Sequence, residues 1–363
     1  MTRIASLDVI RGVAVLGILL MNVVSFGIGI PAYFNLDFDD SGSVLDRSVG
    51  VAGELLADQK FMAIFSLLFG AGIVLFYDRA VLKGRRAVWL SLWRNLLLAV
   101  IGLLHTLVWD GDVLFVYAVC APFVILARRW SDITLAVLGA GLVALPPVLA
   151  VVAQASVTPD GVGLGDYWGV AGEMSDEVGI WLITDFFARA AGLMLLGVVA
   201  YRRGFVTAEL DRHIYWRWAV AGCSFGILSA GAGVVWLHAT DFSTDVAVVA
   251  SIPNTVGTIP FSLGIIAAVI LAIPYLGRAG DRLSAVGRMA LTNYLAQTAL
   301  CVTLFGAVLD VEPSRTALLG VVGAIWLLQL WWSIWWLDHF RYGPVEWLWR
   351  AATYRTIPSM RVS

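Results

Sequence analysis

The sequence predicts an all-α polytopic membrane protein: a bundle of about ten transmembrane helices with N- and C-termini in the cytoplasm. Three observations predict it, namely the composition, the number of long apolar runs and the placement of arginine. Hydrophobic residues make up 60% of the 363 and charged residues only 14%, against roughly 25% charged in soluble domains. Mean hydropathy is +0.85, and a soluble domain of this size could not cover that much apolar surface. A net charge of −2 gives no nucleic-acid footprint. Cys120, Cys223 and Cys301 all fall in apolar stretches without zinc spacing, so they read as small hydrophobes and no metal site is expected.

Runs long enough to cross a hydrocarbon core of about 30 Å fall near 9–30, 59–77, 88–109, 112–127, 132–155, 179–201, 213–237, 246–276, 284–308 and 316–340. The first follows a basic residue, as a signal peptide would, but no small-x-small cleavage site comes after it, so it reads as an uncleaved span. The fourth is short and the eighth is long.

Charge tests this order independently, because cytoplasmic loops carry the Lys and Arg. With the N-terminus inside, the cytoplasmic side receives Arg3, Arg79, Lys83, Arg85, Arg86, Arg128, Arg129, Arg202, Arg203 and the basic residues of the C-terminal tail, while the outer side receives Arg47, Lys60 and Arg315 alone. The outer loops are acidic, with Asp37, Asp39, Asp40 and Asp46 in the first and Asp160, Asp166, Glu173, Asp176 and Glu177 in the third. A wrong span count would scramble this pattern. The expected location is the cell inner membrane. Of the two long outer loops, 31–58 is expected to hold a short interfacial helix, whereas 156–178, rich in Gly and Pro, reads as either a lid or a linker.

Ionisable groups inside hydrocarbon are costly and mark candidate sites. Asp8 and Arg11 share a face of the first span. They are either a cap and a snorkelling arginine, or a site in which the guanidinium holds a phosphate or carboxylate. Asn22 lies about 16 Å further along the axis. His105 is the only histidine inside an apolar span, and Trp109-Asp110-Gly111-Asp112 follows it. A tight turn there would set Asp112 beside the imidazole, the pairing a general base needs. The other reading has Asp112 capping span four and His105 bonded to a carbonyl. Asp185 and Arg189 stand four apart in mid-membrane, where they either neutralise each other or Arg189 contacts a ligand. In span eight, two prolines flank Asn254, Thr255 and Thr258, and the helix is expected to break there, lining a cavity or else simply kinking near the surface. Asn293, Gln297 and Gln329 read as helix–helix glue.

These residues carry a resemblance. Leu7-Asp8-x-x-Arg11-Gly12, with the apolar run to Asn22, resembles the opening span of the transmembrane acyltransferase superfamily. Phe65-Ser66-Leu67-Leu68-Phe69-Gly70, Gly102-Leu103-Leu104-His105, Gly287 to Leu295 and Gly343 to Arg350 resemble the YeiB-like family within it, so that the likeness covers nearly the whole chain. The resemblance implies transfer of an acyl group from cytoplasmic acyl-CoA to an envelope sugar or lipid acceptor, with a histidine as base and an arginine near the first span on the donor. Asn22 stands where many relatives place a histidine at the end of span one, so His105, oriented by Asp112, must supply the base. Asn22 or Asn254 would then serve the developing oxyanion, with Asp8, Arg11, Arg189, Thr255 and Thr258 as substrate contacts.

No permanently bound cofactor is expected. The expected partners are membrane lipid, acyl-CoA and the acceptor, with homodimerisation left open. The chain reads as one transmembrane domain, 1–363, in which 1–277 is acyltransferase-like and 278–363 is specific to the family. A transporter of a small solute or lipid precursor and a non-catalytic scaffold remain as alternatives.

Overall fold

The computed structural model describes residues 4–38, 43–308 and 313–362. Arg3, Asp39 and Asp40 of the charge argument lie outside them. Nine helical segments of the described residues are long and apolar enough to cross a membrane. In chain order the helices are α1 (Ala5–Gly27), α2 (Ile30–Phe34), α3 (Val44–Leu56), α4 (Lys60–Leu82), α5 (Ala87–Thr106), α6 (Leu114–Ala127) and α7 (Asp132–Ala155). They continue with α8 (Asp176–Arg202), α9 (Arg212–Ala239), α10 (Ile252–Leu276), α11 (Arg278–Arg288), α12 (Ala290–Thr303), α13 (Arg315–His339) and α14 (Pro344–Tyr354). The 14-residue α6 is the short fourth segment; at 1.5 Å per residue it reaches only about 21 Å. The helical bundle expected from the sequence is therefore present.

Burial sorts the helices. Two thirds of the most apolar window of α1 is buried (67%), and 56% of that of α8, against 28% for α5, α7 and α13. α1 is thus a central post and α8 a second, while the rest turn one flank toward lipid. Local chemistry sets several starts: Ser131, Ser175 and Ser314 each accept a backbone N–H three residues on, opening α7, α8 and α13.

At the acidic end the described part of the first long loop carries two helices, α2 and α3, where one short helix was expected, and a turn with Gln59 at φ 63° leads into α4. The 156–178 loop packs onto the helices. Leu164, Tyr167 and Trp168 are buried and pack with Trp181 and Val248 into a core of their own.

Two boundaries differ from expectation. The chain before Ile252 forms two 3₁₀ turns, and α10 then runs unbroken. Pro253 falls in the first turn, where its missing N–H costs nothing, and Pro260 is absorbed inside the helix. Span nine begins at Ala290, because Met289, at φ −109° and ψ 30°, divides α12 from the short polar α11.

Candidate functional site

At the basic end the helices leave a cavity of about 480 Å³. Arg11, Arg79, Lys83, Arg85, Arg94, Arg288 and Arg350 line it, with Glu346 as its one acidic wall residue. Its inner walls turn apolar, through Phe65, Phe69, Leu98, Leu114, Leu291 and Tyr294. Aromatic rings hold several of the cations: the Arg94 guanidinium lies 4.4 Å from the Phe76 ring centre and 4.1 Å from that of Trp349, and Arg85 stands 4.4 Å from Tyr354.

The mouth is assembled by two helix contacts. α1 crosses α11 where Gly12 faces Gly287; a Cβ on Gly287 would come within 1.8 Å of the Asp8 carbonyl oxygen, and one on Gly12 within 2.0 Å of the Leu283 carbonyl oxygen. This approach sets Arg11 and Arg288 on the same cavity wall. α14 then spans the basic end. Glu346 on it accepts from the backbone N–H of Leu291 (2.7 Å) and Thr292 (3.0 Å) and from the Thr292 hydroxyl (2.5 Å), so its carboxylate sits at the N-terminus of α12. Burial raises this carboxyl above the usual range, against the pull of those three donors. The two C-terminal stretches that resemble the YeiB-like family are therefore a single structural joint.

One face of α5 leads inward from the cavity. Ser91, Asn95 and Leu98 line it, and Gly102 and His105 continue that buried face, with His105 about 10 Å beyond Leu98. Gly102 lies so close to the start of α6 that a Cβ would meet Phe115 N at 2.5 Å and Asp112 Oδ2 at 2.9 Å. That approach lets Asp112 Oδ1 reach His105 Nδ1 at 2.7 Å, while Oδ2 accepts the Phe115 N–H at 2.8 Å. The two roles weighed for Asp112 are not exclusive: it caps the start of α6 and holds the imidazole. His105 and Asp112 are 7% and 9% exposed. The other ring nitrogen, Nε2, lies 2.9 Å from the Thr298 hydroxyl. The His105 ring also packs against that of Tyr294, 5.3 Å between centres, and Tyr294 lines the cavity.

Asn22 is half-buried, on the face of α1 between Ile18, which packs with Leu98 and Tyr294, and Phe26, whose ring lies 4.6 Å from that of Trp109. Asp8 pairs with Arg11 at 3.4 Å from one turn earlier on α1 and does not itself line the cavity.

The remaining predicted residues gather elsewhere. Asn254 Nδ2 donates to Asp58 Oδ2 at 2.7 Å, and Asn254 Oδ1 accepts from Lys60 Nζ. Lys60 is wholly buried and donates also to the Glu54 carbonyl at 2.6 Å; Tyr33 donates to Asp58 at 3.0 Å. Thr255 and Thr258 both donate to Gln59 Oε1 at 3.2 Å. Arg189 is paired with Asp185, and its charge acts on Lys60 and Tyr33. Asn254, Thr255, Thr258 and Arg189 thus lie together at the acidic end, and none lines the basic cavity; α10 does not unwind at Asn254 as expected.

Sequence reasoning missed Thr298, Lys60 and Glu346. Only Lys60 carried a usable signal, as a cation set directly against an apolar run.

A relative from Escherichia coli (strain K12), described as uncharacterized protein YeiB, is 32% identical over 98% of this chain and 97% of its own length. The chain belongs to the YeiB-like family. A Bacillus subtilis (strain 168) protein, described as uncharacterized protein YxaH, is 30% identical over 97% of the chain and 94% of its own. Residues 200–356, which hold α9 to α14, match the family described as protein of unknown function DUF418.

Proposed function

We propose that this chain is an inner-membrane acyltransferase that takes an acyl group from acyl-CoA in the basic cavity and passes it to an envelope sugar or lipid at the acidic end. The observation that carries the reading is a gradient: a mouth of arginines and stacked aromatics, an apolar throat, and, packed behind Tyr294 of its wall, a buried histidine–aspartate pair. A phosphorylated amphiphile matches that order, with phosphates on Arg11, Arg288 and Arg350 and the acyl chain against Phe65, Phe69 and Leu98. Asp112 holds Nδ1–H and so fixes the tautomer, leaving the Nε2 lone pair as the base. Asn22 is the amide on hand for the developing oxyanion.

Arginine at the basic end is also what the positive-inside rule demands, so the support lies in their convergence on one cavity. Reporter tags at both termini and in 202–212 are expected on the cytoplasmic side, and one near Asp166 outside. Purified protein in lipid nanodiscs should bind acyl-CoA and release CoA thiol when an acceptor is present. No binding in wild type, at low salt and with several chain lengths, would sink the reading.

The buried cluster of Glu54, Asp58, Lys60, Asp185 and Arg189 favours a second reading, an ion-coupled transporter. Solute flux in proteoliposomes without thioester cleavage would select it.

A further inference from the structure

Thr298 does not spend its hydroxyl on the carbonyl four residues back. Thr303 and Thr353 donate to the carbonyl four residues back, the usual use of a hydroxyl inside a helix, and Thr255 and Thr258 share their hydroxyls between that carbonyl and Gln59 Oε1. Among the described residues the Thr298 hydroxyl has one partner, His105 Nε2 at 2.9 Å. With Asp112 Oδ1 at 2.7 Å from Nδ1, the Nδ1–H is committed to the carboxylate, so Nε2 is the acceptor and Thr298 the donor. A hydroxyl, an imidazole and a carboxylate in this order form a nucleophile, its base and the group that orients the base. All three side chains are buried. Tyr294, one turn earlier on α12, lines the cavity and places the hydroxyl just past its inner end.

We propose that Thr298 is the nucleophile of a two-step transfer, carrying the acyl group as an ester between donor and acceptor. This rests on the acyl-transfer reading above. In the first step Oγ1 gives its proton to His105 Nε2 and bonds to the thioester carbonyl carbon. The carbon–sulfur bond breaks, and the CoA sulfur leaves as a thiol with the proton from Nε2. In the second step the acceptor hydroxyl gives its proton to Nε2 and attacks the ester. The bond from the acyl carbon to Oγ1 breaks, and Oγ1 takes the proton back. Asp112 stays ionised throughout and stabilises the imidazolium that forms twice. The scheme also gives a reason for a base so far from the basic mouth: the acyl group is handed over at the inner end of the cavity, and CoA never has to leave the basic side.

The test uses the full chain in nanodiscs with radiolabelled acetyl-CoA and palmitoyl-CoA, each in turn and without acceptor. The expected result is one label per chain, stable to acid, removed by hydroxylamine and located by mass spectrometry on the α12 peptide at Thr298. Thr298→Val, which keeps the shape but lacks the hydroxyl, should lose the label and at least about a hundredfold in transfer; Thr298→Ser should keep both. The labelling of wild type needs no variant, so a misfolded Thr298→Val does not stall the test. If wild type transfers acyl groups but never carries label, and Thr298→Val transfers at the wild-type rate, transfer is direct. The nucleophile is then overturned while the acyltransferase stands. If wild type neither binds nor cleaves any donor, the acyltransferase reading fails and this inference fails with it.

Discussion

Among the buried polar clusters in the acidic half of the molecule, one surrounds His105 and another Lys60. The Lys60 cluster is the richer in charge: three carboxylates, an ammonium and a guanidinium within a few helix turns. Most of its hydrogen-bonding capacity is consumed internally, Asn254 alone bridging Lys60, Asp58 and Glu54. The His105 cluster has one carboxylate, one imidazole and one hydroxyl, yet it borders the throat of the cavity. The cluster richer in charge is thus not the one that adjoins the cavity wall. Around Lys60, hydrogen bonds tie α2, α3, α4 and α10 together, with Nε and Nη1 of the buried Arg189 left without a hydrogen-bond partner among the described residues, whereas a sparse cluster next to a cavity can exchange partners with a substrate.

The largest expected effect breaks the comparison if it is absent. His105→Ala should lower acyl transfer by about 10²- to 10⁴-fold, the usual worth of a general base, with folded yield and thermal midpoint nearly unchanged. Asp112→Asn should fall less, since it keeps shape and the α6 cap but loses charge. Transfer within about tenfold of wild type for His105→Ala would remove it as the base.

The Lys60 cluster should answer in the opposite sense. Lys60→Met strands Asp58 and Glu54 without their ammonium, and stranding a buried partner costs about 3–5 kcal/mol. The readout is thermal unfolding in detergent micelles, with transfer per folded molecule unchanged. A stable Lys60→Met that cannot transfer or transport would mean the cluster is a working site. Within the same cluster, Arg189→Ala should reduce folded yield, and adding Asp185→Ala should recover much of it. Normal yield for the single variant would point to a ligand role for Arg189.

A smaller effect is expected at the cavity mouth. Gly287→Ala forces apart α1 and α11, where a Cβ has no room against the Asp8 carbonyl. Overpacking of this kind costs about 1–3 kcal/mol. It also shifts Arg11 relative to Arg288, so donor affinity should fall more than the rate at saturating donor. Equal losses in both would place the crossing in catalysis and not in donor binding.

The bundle and its ten segments were legible because hydropathy over about 20 residues and the placement of arginine are properties of the chain itself. The pairing of His105 with Asp112 was legible too, since one short turn joins them. Thr298 was not, because it lies 193 residues from His105 along the chain and looks like any other polar residue in a membrane helix. Lys60 read as an ordinary outer charge; only the packing of α2, α3 and α10 around it shows that it is buried. The expected break in α10 failed for a local reason. Proline ends a helix when its ring or missing N–H cannot be accommodated; Pro253 stands in the first turn, where both can, and Pro260 is absorbed within the helix.

The smallest effect tests whether polar residues near the His105 cluster are chemistry or glue. Gln297 stands one residue before Thr298, so a catalytic role could be claimed for it by position. Its side chain, however, donates to the Val15 carbonyl at 3.1 Å and to Gln329 Oε1 at 3.0 Å. Gln329 in turn donates to the Asn293 carbonyl at 2.8 Å, and Trp332 donates to Asn293 Oδ1 at 2.7 Å. The chain of bonds joins α1, α12 and α13 on the flank of α12 away from His105. Interhelical hydrogen bonds in membranes couple by only about 0.6 kcal/mol on average, because the separated helices find other partners. A double-mutant cycle with Gln297→Leu and Gln329→Leu should return a coupling of that order, read from unfolding in mixed micelles. Transfer by the folded fraction of Gln297→Leu should stay within about twofold of wild type. A loss of about tenfold or more with stability intact would mean that α12 reaches the reacting atoms through Gln297 as well as Thr298, and the line drawn here between glue and site would have to move by one residue.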